Sequence, residues 1–296
     1  MKAIVLTCDK YIKFADHMIY TYQKWWPSNP FTFRVPYGDY PENLAKYGDK
    51  VELIPMDSAK VIHPIETEKG TKQVSLIRDT VLNLLKDLPD EEWIYWCMDD
   101  NYLIRIQEEA VNDIYNFVIN NADSDLIAVL FVRNRKGGYF KSDKFIQEGV
   151  KILTPKKQVV LRETVFSQAD ILQSVWSHQF IRVKALRRIF ESFPDRPFVG
   201  KEMDSFKHTK LVGERQLIVE NNIAVYGEST SRGEITENCA ASFKRWGMEL
   251  PTNMNISKTY QVIGEIPYQW LGLKITPPPR VKRFLTDVTR WYWRNV

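Results

Sequence analysis

Apolar residues run without a break through "AIVLT" (3–7) and "WIYWCM" (93–98), the pattern of strands covered on both faces. Between these runs the spacing changes. "FADHMIYTYQKWW" (14–26) sets its apolar residues at helical intervals, and the prolines of "WPSNP" stop it. "FTFRVPY" (31–37) and "KVELIPM" (50–56) are further strand candidates. "VSLIRDTVLNLLKDLPD" (74–90) predicts a helix with Val74, Ile77, Val81, Leu84 and Leu85 on one face and Pro89 closing it. Further along, helices are predicted over "EEAVNDIYNFVINN" (108–121) and "VKALRRIFESF" (183–193), with a strand over "DLIAVLFVR" (125–133) between them. This alternation predicts an α/β domain: a mostly parallel central sheet flanked by helices. In such sheets ligands bind beyond the carboxyl ends of the strands, here at the loops after Thr7 and Met98.

The pattern breaks at "TPPPRVKR". Three prolines end the globular part, and an amphipathic tail follows. In "RVKRFLTDVTRWYWRNV" (280–296), Val281, Phe284, Leu285, Val288, Trp291 and Tyr292 fall near one helical face. Arg280, Lys282, Arg283, Arg290 and Arg294 stand against Asp287 as the one acid. A basic, aromatic amphipathic helix suits peripheral contact with an anionic membrane, at ~1 kcal/mol per basic side chain. The same pattern also suits a helix docked on the domain's own core.

Composition adds bounds. The chain has 296 residues, 44% of them apolar and 26% charged, with a net charge of +4. That mild balance lacks the concentrated basic face of a nucleic-acid binder, so no nucleic-acid partner is expected. Cys8, Cys97 and Cys239 have no metal-type spacing and read as reduced thiols. The apolar start is too short for a secretory signal and meets Asp9 at once, and no stretch approaches a membrane span. A cytoplasmic protein is expected, peripheral at most on the cytoplasmic face of a membrane.

The candidate chemistry lies at "MDDN" (98–101), where the most apolar strand ends in adjacent carboxylates. A polar turn explains it in one way. Two like charges at the mouth of a buried strand are unfavourable, however, unless a cation or hydrogen-bond donors sit there. Mg²⁺ bridging protein carboxylates to phosphates would remove that penalty.

With its acidic motif at the end of a central strand, the sequence resembles the GT-A-fold glycosyltransferases, in particular polysaccharide-building members of bacteria and large viruses. "SLIRDTVLNLL", "PDEE" and "DDNYL" carry the resemblance, followed by "WSHQFIRVKALRRIF", "FVGKEMDSF" and "VYGESTSRGEITENCAASFKRWGMELP", over about residues 1–252. The resemblance implies a GT-A-like, Rossmann-like fold in a domain over 1–252, with 253–296 as an extension, and transfer of a hexosyl or deoxyhexosyl group. The donor would be a nucleotide-diphosphate sugar and the acceptor a glycan or lipid-linked glycan. Mn²⁺ or Mg²⁺ would be held by Asp99, Asp100 and Asn101, with Asp99 also placed to reach the ribose. Asn101 replaces the acid usual at the third position and is a weaker, neutral ligand, which leaves metal independence open.

At the exit of the first strand, Thr7 and Asp9 are candidates for hydrogen bonds to base or ribose, and Tyr11 for stacking; an N-cap role serves Asp9 equally. Arg78 either faces the phosphates or pairs with a neighbouring acid on its helix. Glu202, and after it Asp204, are candidates for the base that activates the acceptor hydroxyl, or else first-turn helix acids. Trp176 and His178 are acceptor-side candidates; core packing and a structural hydrogen bond are the plainer roles. Two rival readings stand beside the enzyme. One is an inactive, membrane-docked, glycan-binding scaffold. The other is a sugar nucleotidyltransferase, against which "LTCDKYIKFADH" counts because it lacks the glycines of a phosphate loop.

Overall fold

The computed structural model describes residues 1–68, 70–120, 123–130, 151–153, 156, 159–165, 175–206, 211–219, 223–228, 230–231, 234–236, 240, 243–244, 247–250, 255–257, 268–270, 273–275, 278, 280–281 and 284. Its strands are β1 (Lys2–Leu6), β2 (Thr32–Tyr37), β3 (Val51–Pro55), β4 (His63–Ile65), β5 (Lys72–Val74), β6 (Trp93–Met98), β7 (Asn101–Ile106), β8 (Leu126–Leu130), β9 (Lys151–Leu153), β10 (Val160–Val165), β11 (Gln179–Arg182), β12 (Arg215–Val219) and β13 (Ala224–Glu228), before short strands nearer the C-terminus. The helices are α1 (Ile12–Trp25), α2 (Ile77–Leu84), α3 (Glu108–Asn120), α4 (Val183–Glu191) and the short α5 (Met203–Phe206).

One sheet in the order β3-β2-β1-β6-β11-β8-β12-β10-β9 forms the centre. The half β3-β2-β1-β6 is parallel throughout. Only β11 and β10 run against the rest, so the sheet is mostly parallel, as the alternation of elements predicts. β1 and β6 lie side by side with Leu6 opposite Met98, so both exit loops open at one edge.

The continuous apolar run in β6 follows from burial on both faces. Trp93, Tyr95 and Cys97 join the core built by α1 and α3, with Tyr22, Ile114 and Phe117. Ile94 and Trp96 join the second core, with Val81 and Leu84 of α2 and Leu186, Ile189 and Phe190 of α4. Alternate side chains of a strand point to opposite faces, so a strand between two helical layers must be apolar at every position.

One expectation is corrected. The helix predicted over 74–90 is confined to Ile77–Leu84, because Val74 belongs to β5 and pairs with His63 of β4 in a hairpin. Asp99 and Asp100 form a turn, and Asn101 begins β7, which leaves the main sheet and pairs antiparallel with β13. The tail predicted over 280–296 falls largely outside the described residues; Arg280, Val281 and Phe284 are helical, with Val281 and Phe284 exposed. No helix among the described residues is long and apolar enough to cross a membrane.

Candidate functional site

A cleft of about 610 Å³ opens beyond the carboxyl ends of β1 and β6. Its floor is Leu6, Thr7 and Met98; Asp99 and Asp100 stand at the strand exit. Lys72, Gln73 and Val74 of the β4–β5 hairpin line the cleft, and Trp176, Phe198 and Val199 add an apolar wall. Lys10 and Tyr11 also line it, from the short helical turn Asp9–Tyr11 that follows β1. Thr7, Tyr11, Asp99, Asp100 and Trp176, predicted from three separate stretches, therefore meet in one cavity.

The electrostatics mark the acidic pair. Burial, then the neighbouring Asp100 charge, hold the Asp99 carboxyl well above the ordinary carboxylate range, while the nearby Thr7 hydroxyl and backbone N–H groups pull the other way. Thr7 Oγ1 is buried and makes no hydrogen bond of full geometry among the described residues. Its hydrogen-bonding neighbour is the Asp99 carboxyl, whose ionised form it favours. Cys8 lies next to them; burial and the Asp99 charge push its thiol up to about 11, so it is protonated and inert at neutral pH.

The acidic pair fits a hard divalent cation by donor type: two carboxylates on a rigid strand exit, strained by their own repulsion. No group of three or more His, Cys, Asp or Glu side chains suited to a metal occurs among the described residues. Among the described residues, a third protein ligand would be of another kind. Asn101 Nδ2 donates to the Trp176 carbonyl at 3.3 Å, which ties the amide to the cleft wall.

The other predicted residues lie elsewhere. Asp9 neither caps a helix with its side chain nor lines the cleft; it accepts from the Gly38 N–H at 2.7 Å and the Asp39 N–H at 3.3 Å. The approach is close: a Cβ on Gly38 would meet Lys60 Cγ at 2.1 Å and Asp9 Oδ2 at 2.6 Å. Asp9 thus clamps the loop after β2 to the turn that carries Lys10 and Tyr11.

Arg78 borders a smaller groove of about 280 Å³ with His63, Pro194 and Pro197. Its guanidinium is taken by Asp79 at 2.9 Å and Asp195 at 3.2 Å. Glu202 accepts from Arg196 at 2.8 Å and from the Val199 N–H at 3.1 Å. Burial pushes the Glu202 carboxyl up, but these donors outweigh it and leave the group below its ordinary value, the wrong direction for a base. Asp204 lies in α5. His178 is buried behind the site and does not line the cleft.

The sequence reading missed Lys10, Lys72 and the apolar wall of Phe198 and Val199. The lysines carried one available signal, since Lys10 stands directly in the loop after β1. Lys72 and Phe198 reach the cleft only through the hairpin and the segment after α4, which no local pattern announces.

No protein-family model matches the sequence, and no curated protein matches it. Solved structures do, and those the fold resembles include GT-A glycosyltransferases. The galactosyltransferase LgtC, in complex with donor and acceptor sugar analogues, is 12% identical with a TM-score of 0.36, over 97% of this chain and 96% of that one. A TarS fragment from S. aureus in complex with UDP-GlcNAc is 12% identical with a TM-score of 0.49; the match covers 83% of this chain and 65% of that one, less than two thirds of its length. The bifunctional glycosyltransferase WbbM, in its apo form, is 10% identical with a TM-score of 0.37, over 72% of this chain and 38% of that one.

Proposed function

We propose that this protein is a glycosyltransferase that moves a hexosyl or deoxyhexosyl group from a nucleotide-diphosphate sugar to a glycan or lipid-linked glycan acceptor. The observation that carries the reading is the Asp99–Asp100 pair at the exit of β6. It stands in the cleft at the carboxyl edge of the parallel half-sheet, with Asp99 held above its ordinary range and the Thr7 hydroxyl beside it.

The residues divide the work as follows. Asp99 and Asp100 would hold a divalent cation, Mn²⁺ or Mg²⁺, which would supply positive charge for the nucleoside diphosphate leaving group. Lys10 and Lys72, on the cleft lining, add positive charge on the approach of that anion. Tyr11 offers a ring to the base, and Thr7 a hydroxyl to ribose or phosphate. Trp176 and Val199 present apolar surface to the C–H face of the transferred sugar and keep water from it. Glu202 we assign to holding the 199–202 turn rather than to proton abstraction, because Arg196 and the Val199 N–H already occupy its carboxylate. The catalytic unit is proposed to span 1–252, with 253–296 as an extension that brings the enzyme to anionic membrane surfaces.

A second reading, a glycan-binding scaffold without turnover, is favoured by two observations: the Asn101 amide is tied to Trp176, and the Glu202 carboxylate is engaged. Thermal unfolding with UDP, GDP, ADP or dTDP separates the readings, each with and without Mn²⁺. A ligand at 100 times its dissociation constant adds about 2.7 kcal/mol. A rise in melting temperature with one nucleotide, larger with Mn²⁺, is the expected result. No response to any of them would favour the scaffold.

A further inference from the structure

The ladder between β6 and β11 pairs Gln179 with Trp96 and runs antiparallel. Continued by register, it would bring residue 177 opposite Met98. The ladder instead stops, and the His178 imidazole takes that place: Nε2 lies 3.0 Å from the Met98 backbone nitrogen and 3.1 Å from its carbonyl oxygen. Both polar groups of Met98 point to this side, because the next residue, Asp99, donates its N–H the other way, to Leu6 O at 3.2 Å. One imidazole nitrogen thus covers both backbone polar groups of the last residue before the acidic pair.

The ring is itself fixed. Nδ1 lies 2.6 Å from the Tyr22 hydroxyl. That hydroxyl is 2.8 Å from the hydroxyl of Tyr95 and 2.7 Å from that of Tyr226, which are 2.8 Å from each other. A neutral His has one donor and one acceptor nitrogen. With Nε2 accepting from the Met98 N–H, Nδ1–H donates to Tyr22, which donates onward to Tyr95 or Tyr226. With the proton on Nε2, that nitrogen donates to the Met98 carbonyl, and the Tyr22 hydroxyl donates to Nδ1. Each arrangement satisfies the ring. Burial pushes the His178 pKa down to about 3, so it is neutral in both.

The cluster also reaches the far side of the acidic turn. Tyr226 stands on β13 opposite Leu103 of β7, the strand that leaves Asp99–Asp100. Entry to the turn through Met98 and exit through β7 are therefore tied to the same hydrogen-bonded group, which α1, β6 and β13 jointly supply.

We propose that His178 is a positioning residue for the acidic turn: oriented by Tyr22, it holds the Met98 peptide and thereby sets where Asp99 and Asp100 stand in the cleft. The consequence for metal and nucleotide binding rests on the donor-site reading; the consequence for the backbone does not.

The test compares wild type with His178→Phe, which fills the space without hydrogen bonds, and His178→Gln, whose amide offers both a donor and an acceptor to Met98. Two readouts are taken on folded protein. One is hydrogen exchange at the Met98 and Asp99 amides by NMR. The other is the Mn²⁺ concentration that gives half the UDP-induced or GDP-induced thermal shift. The Phe variant should exchange about tenfold faster at these amides and need about tenfold more Mn²⁺, the scale on which partners behind a metal ligand act. The Gln variant should recover most of both. Wild-type exchange and wild-type Mn²⁺ response in the Phe variant would overturn the proposal, as would a Gln variant no better than Phe. Should the Phe variant not fold, Tyr22→Phe, which removes the partner of Nδ1, carries the exchange test; unchanged exchange there overturns it equally. If wild type responds to no nucleotide with Mn²⁺, the donor-site reading and the ligand half of the proposal fall, while the exchange readout still decides the backbone half.

Discussion

The backbone N–H of Asp99 donates to the carbonyl oxygen of Leu6 at 3.2 Å, the bond that ends the ladder between the first and the central strand. Thr7 and Asp99 therefore leave the sheet side by side, and the cleft begins where backbone pairing stops. Ordered strands support the base of the site, so its carboxylates hold a fixed spacing at the cost of mutual repulsion.

That repulsion has a measurable sign. Asp99 in the fold is held above its ordinary carboxylate value by burial and by Asp100. Below pH about 4, folded and unfolded chains both carry it protonated, and there is no penalty. As pH rises, the unfolded chain ionises first, so stability falls until pH passes the raised folded value. Asp99→Asn should therefore raise the metal-free melting temperature at pH 7 by about 2 °C or more, with the gap closing toward pH 4. Calorimetry across that range checks it; a variant no more stable than wild type at pH 7 contradicts the account.

His17 works in the opposite sense. Burial lowers its pKa from 6.5 to about 4, and its Nε2 meets the Glu249 carbonyl at 3.0 Å. The fold holds it neutral, so its contribution is complete above pH 6.5 and is lost as pH falls toward about 4. At ~1.4 kcal/mol for each tenfold change in proton affinity, this one residue is worth up to about 3 kcal/mol. His17→Phe, set between the rings of Tyr102 and Phe243, should unfold at lower pH than wild type in an acid titration followed by circular dichroism. An unchanged midpoint would exclude the role.

Arg34, on β2, is 4% exposed and binds the Leu84 carbonyl at 2.7 Å and the Asp87 carboxylate at 2.8 and 3.2 Å. It fastens the end of α2 to the sheet, away from the cleft. Arg34→Met should cost about 2–4 kcal/mol in urea unfolding, since it strips a buried carbonyl of its partner, yet leave nucleotide affinity unchanged. Asp87→Asn should cost no more than about 1 kcal/mol, because that side chain is 64% exposed. Equal costs for the two would contradict the assignment.

What the sequence disclosed follows the range of the forces involved. β1, β6, α1 and α3 were legible because each is buried by a repeating pattern of its own residues. The acidic pair was legible because adjacent carboxylates after an apolar strand are an electrostatic anomaly on their face. For Arg78 and His178 the plainer roles, an ion pair with a neighbouring acid and a structural hydrogen bond, were legible and are the ones found, but their distant partners were not. Whether an arginine meets a phosphate or Asp195 depends on a residue 117 positions away. The His178 cluster gathers four side chains from α1, β6, β13 and the residue just before β11, and no local spacing encodes such a meeting. β7 was missed because its partner, β13, lies more than 100 residues downstream.

The tail prediction concerns charge. If residues 280–296 bring the protein to membranes, full-length protein should co-sediment with anionic vesicles at low salt. At ~1 kcal/mol per basic residue, deleting this segment should remove that binding. Equal sedimentation of the truncated protein would assign the segment elsewhere.

The central claim, transfer from a nucleotide-sugar donor at Asp99–Asp100, is tested most directly by donor hydrolysis. Wild type and Asp100→Ala are incubated with a panel of nucleotide sugars, with and without Mn²⁺ or Mg²⁺, and nucleoside diphosphate release is measured. The account predicts release from one donor, stimulated by the metal and reduced about 100-fold or more in the variant. Release that is equally fast without metal and in Asp100→Ala would contradict it.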